Sequence, residues 1–312
     1  MPEGHSVHRI ARQFALHFVG RRVAASSPQG RFVAGAKQLD DRVIIAAKAV
    51  GKVMFLEFDN GLWLRVHLGI YGAWDFAGDI TADATTGAAT GAEASIGAEA
   101  SIGAPRRSRL RMAEQEKLEA PAESFPPPPI GAVRVRLLTD VTCADLRGPT
   151  ACDVLTPEEV QAVIDKLGPD PLLDSGQAAE DRFVATVLRK PTPICLLLMD
   201  QSVVAGIGNV YRAELLFRAR LNPHIPGREL PEQTVRDLWR DWSKLLAIGV
   251  QTGQMMTMDG LSPEGYDGAM ASRSDRHWVY HRTGEPCRVC GTPIVMEEIG
   301  GRKLYWCPKE QS

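Results

Sequence analysis

The chain opens Met-Pro-Glu-Gly, which puts two chemically capable residues at its extreme end. Pro2 follows an initiator methionine whose removal is expected before so small a residue. The exposed secondary amine would have a pKa of about 8 and be partly unprotonated at neutral pH. Such an amine attacks an aldehyde-like carbon, and the carboxylate of Glu3 is suited to move a proton at an oxygen beside that carbon. The same dipeptide also suits the start of a helix, where glutamate complements the macrodipole. A second amine, Lys52, stands in Ala49-Val50-Gly51-Lys52 at the start of a strand, a position that is ordinarily solvated. Two glycines and Asn209 in the run Ala205–Pro223 lead into a helix, and backbone N–H groups there, with the Asn209 amide, make an anion pocket. Ordinary helix initiation explains the same residues equally well.

The fourth feature is Cys287-x2-Cys290-x16-Cys307-x2-Glu310. Two close thiols, a hairpin-length gap and a third thiol match a zinc ribbon except at the last ligand. Glu310 offers an oxygen that zinc accepts, and the loss of one thiolate equally suits a weak or empty site. Arg302-Lys303-Leu304-Tyr305-Trp306 puts cationic and aromatic side chains on the hairpin between the cysteines. Cys143, Cys152 and Cys195 are scattered and read as small buried hydrophobes.

The elements that must hold these groups can be read from periodicity. Ser6 is placed to cap a helix with Val7, Ile10, Ala11, Phe14 and Phe18 at helical spacing and Gly20 at its end. Strands are expected at Lys52–Phe58 and Leu62–Leu68, joined by the turn Asp59-Asn60-Gly61, and around Val133 and Val135. From Thr156 the period becomes helical, with the capping box Thr156-Pro157-Glu158-Glu159 ahead of Val160, Val163, Ile164 and Leu167. Further helices are expected at Glu180–Arg189, Gly208–Arg218 and Pro231–Gly249, where Trp239 and Trp242 belong to a wide buried stripe. The segment 251–277, rich in Gly, Ser and Met, reads as a long mobile loop.

Length and composition bound the alternatives. A chain of 312 residues with 44% apolar content is enough for two domains with cores. Its net charge of -2 hides an asymmetry: residues 1–74 carry ten basic and five acidic side chains, residues 75–125 five basic and nine acidic. Any surface for a polyanion is therefore local. Ala92–Gly103 is a tandem repeat of AEASIG, followed by Arg106, Arg107, Arg109, Arg111 and the run Pro126–Pro129. Residues 79–129 thus read as a low-complexity, largely disordered insertion. Apolar runs such as Ile194–Met199 are short, and Glu3 and His5 stand where a signal peptide would turn apolar, so a cytoplasmic, membrane-free chain is expected.

Taken together, MPEG, Gly51-Lys52, HLGIYG (His67–Gly72), LGPDPL (Leu167–Leu172), MDQSVVAGIGNVYRAELLF (Met199–Phe217) and the terminal cysteine hairpin follow one another as in one family. The chain resembles the formamidopyrimidine-DNA glycosylase and endonuclease VIII family, most of all its actinobacterial endonuclease VIII-like branch. The resemblance implies an α+β multidomain fold. Residues 1–150 would form a catalytic β-sandwich with one N-terminal helix, and 151–277 a helical domain with a helix-two-turns-helix motif. Residues 278–312 would form a zinc-finger-like hairpin. It implies that Pro2 is the nucleophile at C1′ of a damaged nucleotide, Glu3 the acid–base group, and Lys52 a contact to phosphate and sugar.

By the same resemblance His67, Ile70, Tyr71, Arg147, Asn209 and Arg302 bind DNA, with Ile70 and Tyr71 filling the vacated stack. Cys287, Cys290, Cys307 and Glu310 would hold structural zinc. The implied partner is damaged duplex DNA bound by a monomer at the nucleoid. The implied activity is bifunctional, base excision plus abasic-site lyase, on oxidised bases with pyrimidines favoured. Three positions depart from the pattern: Glu310 replaces the fourth cysteine, Gly148 replaces the wedge phenylalanine of purine-repair members, and Gly69 replaces a larger filler. A non-catalytic binder that keeps the helix-two-turns-helix and hairpin is the alternative, but it has no need of an N-terminal proline amine.

Overall fold

The computed structural model describes residues 2–80, 108–113, 116–119, 124–174 and 176–312. Contacts divide the chain into two compact units, Met1–Asp165 with Gln251–Gly253, and Lys166–Val250 with Gln254–Ser312.

In the first unit α1 (Gly4–His17) buries Val7, Ile10, Ala11 and Phe14 along one stripe. That stripe is why the segment is helical and why it must be covered. The helix starts earlier than a Ser6 cap would place it. Glu3 is the extended residue at its N-cap, and the Glu3 carbonyl accepts from the Ser6 and Val7 N–H groups at 3.0 and 3.4 Å.

The strands are β1 (Arg22–Ser26), β2 (Arg42–Val50), β3 (Val53–Phe58), β4 (Trp63–His67), β5 (Ala73–Gly78), β6 (Ser108–Met112), β7 (Glu116–Glu119), β8 (Val133–Leu138), β9 (Thr142–Arg147) and β10 (Ala151–Leu155). They form one antiparallel array in the order β10-β4-β3-β2-β1-β8-β9-β5-β6-β7. A short helix, α2 (Val33–Leu39), joins β1 to β2. β1 changes partner midway: Arg22 and Val23 pair with β2, and Ala24, Ala25 and Ser26 pair with β8. The switch lets two faces share one core, with Ile44, Leu56 and Leu64 from one side, Trp74, Phe76 and Leu146 from the other, and Ile10 and Phe14 from α1. This is the expected sandwich with its N-terminal helix.

Two expectations are corrected here. The segment 79–129 is not disordered throughout, because β6 pairs with β5 and β7 with β6. Leu110 and Met112 alternate inward and join the core, a strand pattern that the arginines at 109 and 111 masked. The AEASIG repeat itself lies outside the described residues. The first unit also runs past residue 150, since β10 pairs with β4 and α3 (Pro157–Ile164) packs Val160 on Phe55 and Trp63. The capping box at α3 is complete, with Thr156 Oγ1 accepting from Glu159 N–H and Glu159 accepting from Thr156 N–H.

The second unit contains α4 (Gln177–Leu188), α5 (Ile194–Leu197), α6 (Asn209–Arg218), α7 (Glu232–Thr252) up to Val250, α8 (Pro263–Ala271) and the hairpin of β11 (Val295–Ile299) and β12 (Arg302–Trp306). Trp239 and Trp242 are core, as their spacing predicts; Trp242 meets Tyr211 edge-on at 4.8 Å. The loop expected at 251–277 holds α8, capped by Ser262 with a proline in its first turn. The hairpin is no separate body: Leu304 sits in the helical core, and Tyr305 and Cys307 pack with Ala213 and Phe217 of α6.

Candidate active site and metal centre

Pro2 and Glu3 are both buried, Glu3 completely. Burial of a carboxylate beside a helix N-terminus is costly unless the group is held or used. His5, two residues further on, is buried and its pKa is pushed down to about 3, chiefly by burial and then by the charge of Arg9. It stays neutral at physiological pH. The structure thus gathers Pro2, a buried carboxylate and a neutral imidazole at one end of a helix fixed in the core.

Lys52 does not begin β3. It occupies, with Gly51 at φ +55°, the two-residue turn between β2 and β3, the form of turn that suits the strand twist. Val53 pairs across to His67 at the end of β4, so Lys52 and His67 lie at the same end of these neighbouring strands. The His67 pKa is lowered, first by burial and then by the charges of Lys52 and Arg65.

The loop after His67 displays Ile70 at 43% exposure and Tyr71 at 84%. Its backbone is tight: the Gly72 N–H donates to the Leu68 carbonyl at 3.1 Å. Gly69 has φ +68°, and a Cβ there would fall 1.8 Å from Thr150 Oγ1, so a larger filler at 69 is sterically barred. Gly148, at φ +58°, packs beside the Tyr71 carbonyl, where a Cβ would come within 3.3 Å. Arg147 is not a free cation, because its Nε donates to Asp75 Oδ2 at 2.6 Å. Sequence spacing gave no sign of that partner.

In the second unit Asn209 is the first residue of α6, and its amide is already engaged: Nδ2 donates to the Lys303 carbonyl at 2.8 Å. Arg212 bonds both Asn209 Oδ1 and the Lys303 carbonyl, the latter at 3.1 Å. Asn209 thereby fixes the start of α6 against β12. Gly300 and Gly301, at φ +59° and +68°, make the two-residue turn that presents Arg302, which is exposed.

Cys287, Cys290 and Cys307 bring their sulfurs within 4.8 Å of one another, and Cys290 and Cys307 lie 3.6 Å apart. Tetrahedral zinc with bonds of about 2.3 Å sets sulfurs about 3.8 Å apart, so these three fit the ion. A hydrogen bond with Thr292 lowers the Cys290 pKa, and burial raises that of Cys307. The fourth expected ligand, Glu310, is not in the group. Its carboxylate pairs with Arg220 at 2.9 Å, and Arg220, at φ 52°, lies over the Phe217 ring. Two carboxyl or amide groups that spacing did not reveal brace the centre. Glu214 is buried and accepts from the Trp278, Val279 and Tyr280 N–H groups at 2.7 to 2.9 Å. Gln311 accepts from Cys307 N–H at 2.9 Å and donates to the Leu221 carbonyl.

Comparison with known proteins places these sites in context. Residues 1–120 match the formamidopyrimidine-DNA glycosylase N-terminal domain, 167–259 the H2TH domain of the same glycosylase, and 284–309 a zinc finger found in FPG and IleRS. Endonuclease 8 1 of Mycobacterium tuberculosis is 36% identical over 99% of this chain and 98% of its own length. A formamidopyrimidine-DNA glycosylase of Thermus thermophilus is 38% identical over 46% of this chain and 52% of its own. The fold is that of the crystal structure of the Fpg protein from Thermus thermophilus, at TM-score 0.68 and 24% identity over 99% of this chain and 98% of that one. It is likewise that of Lactococcus lactis Fpg complexed with abasic-site DNA, at TM-score 0.69 and 19% identity over 99% of both chains.

The zinc-finger match and the three clustered thiols mark a structural zinc site. Cys287, Cys290 and Cys307 are placed to hold the ion, whereas the Glu310 carboxylate is paired with Arg220. Glu310→Cys should therefore release zinc to a chromogenic chelator about tenfold or more slowly than the wild type. Equal release rates would mean that a side chain already completes the site. With three family matches along its length and a full-length relative at 36% identity, the chain belongs to the formamidopyrimidine-DNA glycosylase and endonuclease VIII family.

Proposed function

We propose that the protein is a bifunctional DNA glycosylase and abasic-site lyase of base excision repair, acting on oxidised bases with pyrimidines favoured. The observation that carries this reading is the pairing of Pro2 with the fully buried Glu3 at the N-terminus of a core-anchored helix. Once Met1 is removed, the Pro2 amine attacks C1′ of the damaged nucleotide and the base departs. Glu3 handles the proton at the opening sugar oxygen, and an iminium ion forms between Pro2 and C1′. That electron sink acidifies the C2′ proton, so its loss expels the 3′ phosphate, and a second elimination expels the 5′ phosphate. Water then hydrolyses the imine and frees the amine.

Lys52, beside His67, contacts the lesion phosphate and sugar. The exposed Ile70 and Tyr71 fill the gap left by the flipped nucleotide. Because a side chain in place of Gly69 or Gly148 would be strained, the plug is drawn from Ile70 and Tyr71 of this one loop. Asn209, Arg302 and Arg147 hold the backbone of a kinked duplex, with Arg147 exchanging part of its Asp75 pairing for phosphate. We further propose that it works as a monomer in the cytoplasm, at the nucleoid; no described helix is long and apolar enough to cross a membrane.

Borohydride reduction in the presence of abasic-site DNA tests the central step. A covalent adduct is expected, with peptide mass mapping placing it on Pro2. An active protein that retains Met1, or an adduct on Lys52 alone, would overturn the assignment. Binding without any adduct would favour the non-catalytic alternative. Arg302→Ala tests the hairpin separately. It should weaken DNA binding by about 1 to 2 kcal/mol and reduce the salt dependence by about one unit. Unchanged binding and salt dependence would remove Arg302 from the interface.

A further inference from the structure

Arg9 lies in α1 and is 1% exposed, yet it carries a full charge into the first unit's interior. Its main partner comes from far along the chain. Glu116, the first residue of β7, receives the guanidinium in a two-pronged ion pair, Nε to one carboxylate oxygen and Nη2 to the other, the latter at 2.8 Å. Nη1 donates to the Gln251 carbonyl at 3.5 Å. Gly253, at φ +72°, passes so close that a Cβ there would lie 3.2 Å from Arg9 Nε. The guanidinium is thus fixed in both position and plane, because a planar fork paired with a carboxylate fixes direction as well as distance.

Glu116 is itself placed by strand pairing. It pairs with Met112, Met112 pairs with Trp74, and Trp74 packs edge-on against Phe14 of α1 at 4.8 Å. α1 is therefore held at two places along this row, at Phe14 by Trp74 of β5, the strand to which β6 pairs, and at Arg9 by Glu116 of β7. A helix held at one point can still roll about its axis; held at two, it cannot. Glu3 and Pro2 lead directly into this helix, less than two turns before Arg9, and His5 is on the Arg9 face at the i, i+4 spacing.

We propose that Glu116 is a positioning residue for the reaction at the N-terminus: by holding Arg9 it fixes the roll and height of α1 and so the place of Pro2 and Glu3. This rests on the reading of Pro2 as nucleophile. It makes β7, which follows the AEASIG tract, part of the catalytic unit.

The test is borohydride trapping of the full chain on saturating abasic-site DNA, below the melting temperature of each variant, with rate constant and final amplitude measured separately. Glu116→Ala should lower the rate constant about tenfold or more, as small misplacements of reacting groups do, and leave affinity for DNA carrying a tetrahydrofuran site within about twofold. Glu116→Gln, which keeps the shape and one acceptor, should recover part of that rate. A merely structural role would lower amplitude, in proportion to misfolded protein, and leave the rate constant of the trapped fraction unchanged. That result, or wild-type trapping by Glu116→Ala, overturns the proposal. Peptide mapping of the wild-type adduct separates the two readings. An adduct away from Pro2 defeats the proposed nucleophile, whereas an adduct on Pro2 with an unaltered Glu116→Ala rate defeats only the positioning role.

Discussion

Glu3→Gln is expected to reduce base excision about 10²- to 10⁴-fold, the range that a positioned proton-transfer group contributes. The same variant should form the borohydride adduct on a preformed abasic site at a rate within about tenfold of the wild type. The two steps differ in what they ask of residue 3. Excision needs a proton moved as the sugar opens, whereas a preformed abasic site already presents an aldehyde to the Pro2 amine. Glutamine preserves the volume of a side chain that is fully buried, and the N-cap role of Glu3 uses its backbone carbonyl, so α1 should form normally. Excision at the wild-type rate would remove Glu3 from the chemistry. Equal loss of excision and trapping would show that the substitution disturbs Pro2 as well.

What the sequence made legible was whatever depends on neighbours in the chain. The capping box at Thr156 and Glu159 forms as its spacing predicts, the Asn60-Gly61 turn joins β3 to β4, and the tryptophans of α7 fall on its buried face. The three cysteines converge for the same reason, since each flanks a hairpin whose register is set by its two-glycine turn. Pairings across long separations left no such trace. Nothing in spacing joins Arg9 to Glu116, Arg147 to Asp75, or Arg220 to Glu310, because an ion pair requires only opposite charge and proximity in the folded state. The last of these altered a site assignment, as Glu310 sits at the spacing of a metal ligand while its carboxylate serves Arg220. Low-complexity composition also misled. It extended from the AEASIG repeat to an adjoining hairpin whose inward residues, Leu110 and Met112, alternate with arginine.

That hairpin gives the second large effect, best seen as a contrast between two deletions. Gly78 pairs with Ser108 across β5 and β6, so the ends of the chain on either side of 81–107 are adjacent, and a short loop can close them. Deleting 84–104 should leave the melting temperature within about 2 °C of the wild type, a shift of about 1 kcal/mol for a chain of this size. Extending the deletion to residue 119 removes β6 and β7 and should be severe. Leu110 and Met112 are 4% and 2% exposed, and burial of such side chains is worth about 1.5 to 3 kcal/mol each as an upper estimate. Arg9 would be left in the interior without Glu116, and breaking a buried ion pair by removing one partner costs about 3 to 5 kcal/mol. Against a typical stability of about 5 to 15 kcal/mol, those losses should leave the first unit largely unfolded near 37 °C. Thermal unfolding of both deletions side by side decides the matter. If the longer deletion melts like the shorter one, the hairpin is an ornament on the sheet edge, and the grip of Glu116 on α1 contributes nothing to holding the N-terminus in place.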